Sequence, residues 1–230
     1  MRYLGGKTQI ATELAAVVNL FRQDRPFLDP FCGSLAVAKA LGGPGICSDI
    51  HPALIALYPA IQDGWVPPST LSKDEWEDCK RLPAINPLHG FAGFGCSFRG
   101  LYFQSYGGGY VGPVSNFGAI AAKTVLLRDI DLLSKRGVVF QCQSFFDIPP
   151  SADVFLYLDP PYRGTTAYRG TPDFDYDRFY ARVKEWAVFG PVCVSEYAFP
   201  LGECVWEKSR ARKLITGSGL RAVERLFVVE

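Results

Sequence analysis

Residues 154–162 read Val-Phe-Leu-Tyr-Leu-Asp-Pro-Pro-Tyr, an apolar run followed by an acid, two prolines and an aromatic residue. The apolar run predicts a buried strand, which places residues 159–162 at the carboxyl edge of a sheet, where open α/β folds bind ligands. Asp159 offers a carboxylate acceptor, the prolines fix the direction of the Pro160 carbonyl, and Tyr162 offers a flat face. Two acceptors beside a ring suit a planar group with an amino substituent, such as adenine with its N6. A strand that simply ends in a Pro-Pro turn fits this segment equally well.

A strand, a glycine-containing turn and a helix are predicted between residues 26 and 41. The turn reads Asp-Pro-Phe-Cys-Gly-Ser at residues 29–34. Gly33 would let the backbone approach a ligand closely, and Ser34 is a candidate helix N-cap. A second short strand ends in Asp49, about twenty residues after the turn begins, where nucleotide-binding folds place an acid on ribose hydroxyls. Each element alone is common, but the ordered set is much more specific.

Helices and strands alternate along most of the remaining chain. We predict helices at about residues 8–21, 35–41, 52–62, 117–134 and 176–189, and strands at 27–28, 46–48, 138–141, 154–158 and 192–194, with residues 205–206 and 226–229 as a terminal hairpin. This order predicts an α/β fold, a mainly parallel sheet with helices on both faces. The alternation stops between about Trp65 and Lys135. We therefore expect one domain from residues 1–64 and 136–230, with residues 65–135 as an insert.

Composition narrows the class of protein without identifying it. The chain has 230 residues, 48% hydrophobic and 20% charged, so a substantial core is expected and disorder is not. A net charge of +1 neither demands nor excludes nucleic acid. The apolar stretches are too short for a transmembrane helix, and the N-terminus lacks a signal-peptide core. The seven cysteines form no Cys-x-x-Cys pair, which favours buried free thiols in a reducing cytoplasm. With only two histidines, a histidine metal site or a Ser-His-Asp triad is not expected.

Several of these segments together resemble the Dam-type (D12 class) adenine-N6 DNA methyltransferases, which use S-adenosylmethionine (SAM). The matching segments are residues 3–7 (Tyr-Leu-Gly-Gly-Lys), the turn at 29–34, Asp49, residues 142–145 (Cys-Gln-Ser-Phe) and the tetrad Asp159 to Tyr162. Leu35 stands where the family's turn often has a second glycine. Residues 194–197 (Val-Ser-Glu-Tyr) resemble a strand end of phage-type members. This resemblance associates the chain with a phage or prophage origin. The resemblance runs over nearly the whole chain and is weakest at residues 65–135.

The resemblance implies a Rossmann-like SAM-methyltransferase fold and a role for each matching residue. The implied cofactor contacts are Tyr3, Gly5, Gly6, Lys7, Asp29, Phe31, Gly33, Ser34, Asp49, Ser144, Phe145 and Asp159. The implied catalytic residues are Asp159, Pro160, Pro161 and Tyr162. Asp159 and the Pro160 carbonyl would accept the N6 hydrogens of an adenine flipped out of double-stranded DNA, and Tyr162 would stack on its ring. The reaction would be one in-line methyl transfer, without a metal or a covalent enzyme intermediate.

Two segments are candidates for contact with DNA. Residues 95–106 combine Arg99 with aromatic and hydrogen-bonding side chains, and in the family this part of the chain holds the target-recognition region. The run Lys208-Ser209-Arg210-Ala211-Arg212-Lys213 places four cations between the terminal strands, where they could contact phosphates. A packed insert and a solvated basic turn are the respective alternatives.

Three other functions fit the same residues. A cytosine-N4 methyltransferase would have this architecture, although that group more often has serine where Asp159 stands. An adenine-N6 RNA methyltransferase uses a related tetrad. A catalytically inactive, SAM-binding protein that binds nucleic acid is the third possibility, and the intact tetrad argues against it.

Overall fold

The structure, a computed structural model, describes residues 1, 3, 5–108, 117–164, 173–211 and 221–230. The described residues contain seven strands: β1 (Phe27–Asp29), β2 (Gly45–Asp49), β3 (Val138–Cys142), β4 (Phe155–Leu158), β5 (Val192–Glu196), β6 (Glu203–Ala211) and β7 (Arg221–Val229). They form one sheet in the order β3-β2-β1-β4-β5-β7-β6. Strands β1 to β5 are parallel, whereas β7 runs antiparallel to both β5 and β6. The sequence prediction of a mainly parallel sheet with a terminal antiparallel hairpin is confirmed, and this is the architecture of Rossmann-like methyltransferases.

Seven α-helices accompany the sheet in the described parts of the chain. They are α1 (Ala11–Arg22), α2 (Ala36–Leu41), α3 (Pro52–Gln62), α4 (Lys73–Cys79), α5 (Pro87–Gly90), α6 (Phe117–Lys135) and α7 (Tyr176–Ala187). Five of them lie where the alternating pattern predicts helices. Helices α4 and α5 lie in the stretch that the sequence analysis treats as irregular, and that expectation is wrong for them. A capping box starts α4: the Ser72 hydroxyl accepts from the Glu75 N–H at 3.2 Å, and the Glu75 carboxylate accepts from the Ser72 N–H at 2.7 Å.

The central strands β1, β4 and β5 are buried on both faces, which explains why their sequences are nearly continuously apolar. On one face, alternate side chains such as Phe27 and Tyr157 join a buried cluster with residues of α1, α2, α3 and α6. On the other face, Leu156 and Val194 pack with residues of α7. Helices therefore cover both faces, as predicted. Trp76 and Leu126 belong to the first cluster, so the described part of residues 65–135 shares the core of the sheet.

The turn between β1 and α2 corrects one sequence prediction. The N-cap of α2 is Leu35 and no side chain caps the helix, so Ser34 is not the N-cap. Leu35 has a φ of 64°, in the left-handed region that glycine adopts at lower cost. Its side chain is 1% exposed, and burial of a leucine contributes about 1.5–3 kcal/mol, which offsets a left-handed cost of about 1–2 kcal/mol. The Tyr58 hydroxyl also holds the turn by donating to the Gly33 carbonyl at 2.5 Å. The turn thus forms without the second glycine.

Two further sequence predictions can be set against the structure. Within its described residues, no helix has both the length and the apolar character needed to cross a bilayer. All seven cysteines are free thiols, and five of them are buried. Cys142 and Cys204 are exposed, which differs from the expectation of buried thiols.

Candidate active site

A cavity of about 290 Å³ lies at the carboxyl ends of β1, β2 and β4. Its walls include all twelve residues that the family resemblance assigns to the cofactor: Tyr3, Gly5, Gly6, Lys7, Asp29, Phe31, Gly33, Ser34, Asp49, Ser144, Phe145 and Asp159. They come from segments far apart in the sequence, and the parallel sheet brings them together because its strands end at one edge. Pro161 also lines the cavity, whereas Pro160 and Tyr162 are not among the residues of its walls.

Asp49 ties the glycine turn to the end of β2. Its Oδ2 accepts a hydrogen bond from the Gly33 N–H at 3.2 Å, and its Oδ1 accepts from the His51 N–H at 3.0 Å. Burial raises the pKa of Asp49 to about 6, against the lowering effect of these N–H groups. Each carboxylate oxygen has a second lone pair, so the side chain can accept further hydrogen bonds from a ligand in the cavity.

Asp29, the last residue of β1, is a second buried acid in the same cavity. It is 2% exposed, and its Oδ1 accepts from the Phe31 N–H at 3.1 Å. Burial, and then the nearby charge of Asp159, raise the pKa of Asp29 well above its ordinary value. This shift favours a neutral carboxyl, which can donate a hydrogen bond as well as accept one.

Backbone conformation and the neighbouring Tyr3 ring both favour glycine at residue 33. Gly33 has a φ of 41°, and a Cβ there would come within 3.1 Å of the Tyr3 ring. The Tyr3 ring in turn contacts the Phe94 ring, with centroids 5.5 Å apart. The aromatic residue of the N-terminal segment therefore packs directly on the glycine turn.

Lys7 reaches the tetrad as well as the cavity. Its Nζ donates to Asp159 Oδ1 at 2.8 Å and lies 4.4 Å from the centroid of the Tyr162 ring. Burial raises the pKa of Asp159, and the Lys7 ammonium opposes that rise. The sequence analysis placed Lys7 only beside the cofactor. In the structure its ammonium also engages Asp159 and covers the face of Tyr162.

Tyr162 is held rigidly from two sides. Its hydroxyl donates to Glu224 Oε2 at 3.0 Å, and the Tyr197 ring meets it edge to face, with centroids 4.6 Å apart. Sequence reasoning missed both partners. Glu224 lies on β7, which also carries Arg221 and Arg225, so an acid in this strand gave no distinct local signal.

An aromatic wall closes one side of the cavity. The Phe31 and Phe145 rings lie 5.3 Å apart, and Phe174 contacts both, at 5.9 and 5.3 Å. The sequence analysis identified the first two residues but assigned no role to Phe174. The available signal was an aromatic residue two positions before a predicted helix. This wall suits a flat apolar ligand group.

Of the candidate DNA contacts, Arg99 and Lys208 are described and lie outside this cavity. Arg99 is exposed, has a φ of 57° and holds its guanidinium 5.3 Å from the centroid of the exposed Phe98 ring. Lys208 pairs with Glu13 of α1. The side chain of Arg210, and residues Arg212 and Lys213, fall outside the described part of the chain.

Glu196, at the end of β5, is a buried acid close to the tetrad. It is 5% exposed, and its Oε1 accepts from the Tyr197 N–H at 2.9 Å. Burial raises the pKa of Glu196 from its ordinary 4.5 to about 7, the charge of Asp159 adds to this rise, and backbone N–H groups oppose it. A carboxyl group that exchanges its proton near neutral pH therefore adjoins Asp159.

We expect Glu196→Gln to stabilise the protein at pH 8 relative to pH 5. Because folding raises the pKa of this acid, its contribution to stability is present below 4.5 and is lost as the pH rises through about 7. Between pH 5 and pH 8, urea unfolding should show the variant gaining roughly 2–3 kcal/mol on the wild type. The exposed Glu203→Gln serves as the control and should show no such change. A pH-independent difference for Glu196→Gln would contradict the raised pKa.

Comparison with known proteins finds a family match in the N-terminal part of the chain. Residues 3–82, which are 80 of the 230 residues, match the model of the D12 class N6 adenine-specific DNA methyltransferase family. The matched part contains the N-terminal glycine and lysine segment, the turn at 29–34 and Asp49. The chain is also similar to SMU.472, a proposed methyltransferase solved in complex with SAH, with 16% identity and a TM-score of 0.41 over 97% of this chain and 52% of that chain. It spans about half the length of that protein, and similarity at this level defines neither a site nor an activity.

Proposed function

We propose that the protein transfers a methyl group from SAM to N6 of an adenine flipped out of double-stranded DNA. The proposal is carried by one observation: Asp159 of the tetrad lines the same cavity as the other eleven implied cofactor residues. A cofactor bound in that cavity would have its reactive end beside the carboxylate that can receive the target amine. The D12 family match of residues 3–82 supports the same activity.

The residues of the cavity fit SAM by their chemistry. Asp49 keeps acceptor capacity for ribose hydroxyls, and the aromatic wall that contains Phe145 suits the adenine, with Ser144 beside it. Gly5 and Gly6 leave room for the amino-acid end, with Tyr3 and Lys7 beside them. When bound, SAM supplies an electrophilic methyl group.

The tetrad would prepare the target amine for transfer. Asp159 and the Pro160 carbonyl would accept the two N6 hydrogens, which draws the nitrogen lone pair out of conjugation with the ring and aims it at the methyl group. Tyr162 would stack on the base, an interaction worth roughly 1–3 kcal/mol. Because the Lys7 ammonium covers that face and engages Asp159, Lys7 must move when the base enters. Asp159, whose pKa burial raises, is suited to take the proton that N6 releases.

A product assay tests the proposed function against its rivals. The protein would be incubated with methyl-labelled SAM and either duplex DNA or RNA of mixed sequence, and the nucleosides would be separated. N6-methyladenine in DNA is the expected product. N4-methylcytosine in DNA would assign the cytosine enzyme, and N6-methyladenine in RNA alone would assign the RNA enzyme. Binding of SAM without any methylated product would indicate the catalytically inactive protein that binds SAM and nucleic acid. The Asp159→Ala variant, prepared in parallel, controls for methyltransferases of the expression host.

We also propose that residues 65–135 contain the target-recognition region, with Arg99 at the point of contact. Residues 97–106 form a closed loop: Ser97 and Tyr106 bridge its ends, and the Phe98 N–H donates to the Ser105 carbonyl at 2.8 Å. Within the loop, Tyr102 and Phe103 pack against the core, whereas Phe98 and Arg99 are exposed. The loop therefore has both a rigid support and an accessible tip that carries a cation.

Arg99→Ala should weaken DNA binding in one of two distinguishable ways. If Arg99 reads a base edge, the variant should lose preference at one position of the site by about 1–3 kcal/mol. If it contacts a phosphate, affinity should fall for all sequences and the salt dependence should flatten by about one unit. Competition binding at two salt concentrations separates the two outcomes. Arg81→Ala, a change of an exposed residue just after α4, is the control, and an Arg99→Ala variant that behaves like it would refute both roles.

A further inference from the structure

We propose that Glu224 is a positioning residue for methyl transfer: it fixes Tyr162 and provides a second carboxylate to which the Lys7 ammonium moves when the target amine occupies Asp159. This inference rests on the proposed function for the identity of the incoming amine. The movement of Lys7 between two carboxylates is a property of the protein itself and can be tested separately.

Lys7 lies between the two acids. Its Nζ is 2.8 Å from Asp159 Oδ1 and 3.9 Å from Glu224 Oε2. A displacement of about 1 Å would therefore exchange one ion pair for the other at charge-assisted hydrogen-bond distance. Both partners are held in place by the sheet: Asp159 follows β4, and Glu224 lies within β7.

Burial makes a second site for the ammonium necessary. Lys7 is 5% exposed and Glu224 is 7% exposed, so neither charge is well solvated. Removing one partner of a buried ion pair leaves an uncompensated charge, which is strongly unfavourable. If the target amine took Asp159 and Lys7 had no other partner, that cost would oppose every binding event. Glu224 offsets it because the ammonium keeps a carboxylate at short range throughout.

Glu224 also couples this movement to the catalytic ring. The oxygen that lies 3.9 Å from Lys7 is the same Oε2 that accepts from the Tyr162 hydroxyl at 3.0 Å. While Lys7 moves from Asp159 toward Glu224, the Tyr162 hydroxyl remains anchored, so the ring keeps its orientation for the incoming base. One carboxylate thereby receives the ammonium that leaves Asp159 and holds the plane of the Tyr162 ring.

The first test follows the Lys7 ammonium itself and needs no methyl transfer. In protein with ¹⁵N-labelled lysine, an ammonium held in a buried ion pair exchanges slowly enough with solvent to give its own signal, which Lys7→Arg would identify. The Asp159→Asn variant imitates an Asp159 whose charge is no longer available. The signal should persist in that variant with a changed shift, and it should be lost in the Asp159→Asn, Glu224→Gln double variant. Adding the exposed Glu203→Gln to Asp159→Asn instead should preserve it. Loss of the signal in Asp159→Asn alone, or its survival in the double variant, would overturn the proposal.

The second test measures single-turnover methyl transfer at saturating SAM and DNA. Glu224→Gln keeps an acceptor for Tyr162 but removes the charge, so the rate constant should fall about tenfold to a hundredfold while the affinity for SAM stays within twofold. Tyr162→Phe, which loses the hydroxyl alone, should be less impaired. A Glu224→Gln variant that is only less stable, with an unchanged rate constant, would reduce Glu224 to a structural role. If the wild type transfers no methyl group, the proposed function fails, and the ammonium signal still decides the role of Glu224.

Discussion

Asp159→Ala should reduce the rate of methyl transfer roughly a hundredfold or more while the fold is preserved, because removal of one preorganised group aimed at the reacting atoms has an effect of this size. In the structure Asp159 is the tetrad residue that both lines the cavity and carries a charge. Without its carboxylate, the target amine loses an acceptor and the lone pair of N6 stays conjugated with the ring.

The measurement has to separate chemistry from cofactor binding. Asp159 lines the cavity, so calorimetric titration with SAM should come first, and the single-turnover rate should be measured at saturation. Asp153→Ala, which removes an exposed acid ahead of β4, is the matched control and should keep the wild-type rate. If Asp159→Ala retained even a tenth of the wild-type rate, the role assigned to this carboxylate would be wrong.

The central parallel strands could be predicted from local sequence because they are buried on both faces. Residues 154–158 and 192–194 are apolar for this reason, and an acid follows each run. The Gly and Pro positions then mark where the chain turns at the carboxyl edge of the sheet. For such a sheet, local pattern, strand order and the location of the cavity are tightly linked.

Contacts that depend on the register of distant strands could not be predicted in the same way. Glu224 reaches Tyr162 because β7 inserts between β5 and β6 in an antiparallel direction. Its register pairs Ser195 with Leu226, and no local pattern encodes that pairing. Lys7 shows the same limit: the glycine and lysine segment was recognisable, but its ion pair with Asp159 joins residues 152 positions apart.

Two other differences come from signals that were present in the sequence. The capping box that starts α4 has the Ser-x-x-Glu pattern at residues 72–75, within a stretch whose prolines favoured an irregular structure. Serine often caps helices, so Ser34 was expected to be the N-cap of α2. The turn instead places Leu35 in the left-handed conformation as the N-cap, and α2 starts one residue later than expected. For α4 the capping signal was given too little weight against the nearby prolines. For α2 the capping preference of serine was given too much weight against the conformation of the turn.

Asp49→Ala should weaken SAM binding by about 1–3 kcal/mol, the usual cost of losing a hydrogen bond to a charged group. That range corresponds to roughly 5-fold to 150-fold in the dissociation constant. The carboxylate has two tasks: it offers acceptors to the ribose, and it holds the Gly33 and His51 N–H groups that shape the turn. Lys7→Ala should also weaken SAM binding, since its side chain lines the cavity. Affinity for DNA should be nearly unchanged in Asp49→Ala, because this side chain is not exposed.

The pH dependence of SAM affinity distinguishes two possible roles of Asp49: a charged acceptor for the ribose, or only a structural contact within the turn. Because burial raises the pKa of Asp49 to about 6, the free protein is increasingly protonated there below pH 6. SAM binding to the ionised carboxylate should therefore weaken as the pH falls through 6, and this part of the pH dependence should be missing in Asp49→Ala. Calorimetric titration at pH 5.5 and pH 7.5 measures both effects, with Asp63→Ala at the exposed end of α3 as the control. Equal SAM affinity in wild type and Asp49→Ala at pH 7.5 would remove the basis for placing the ribose at this residue.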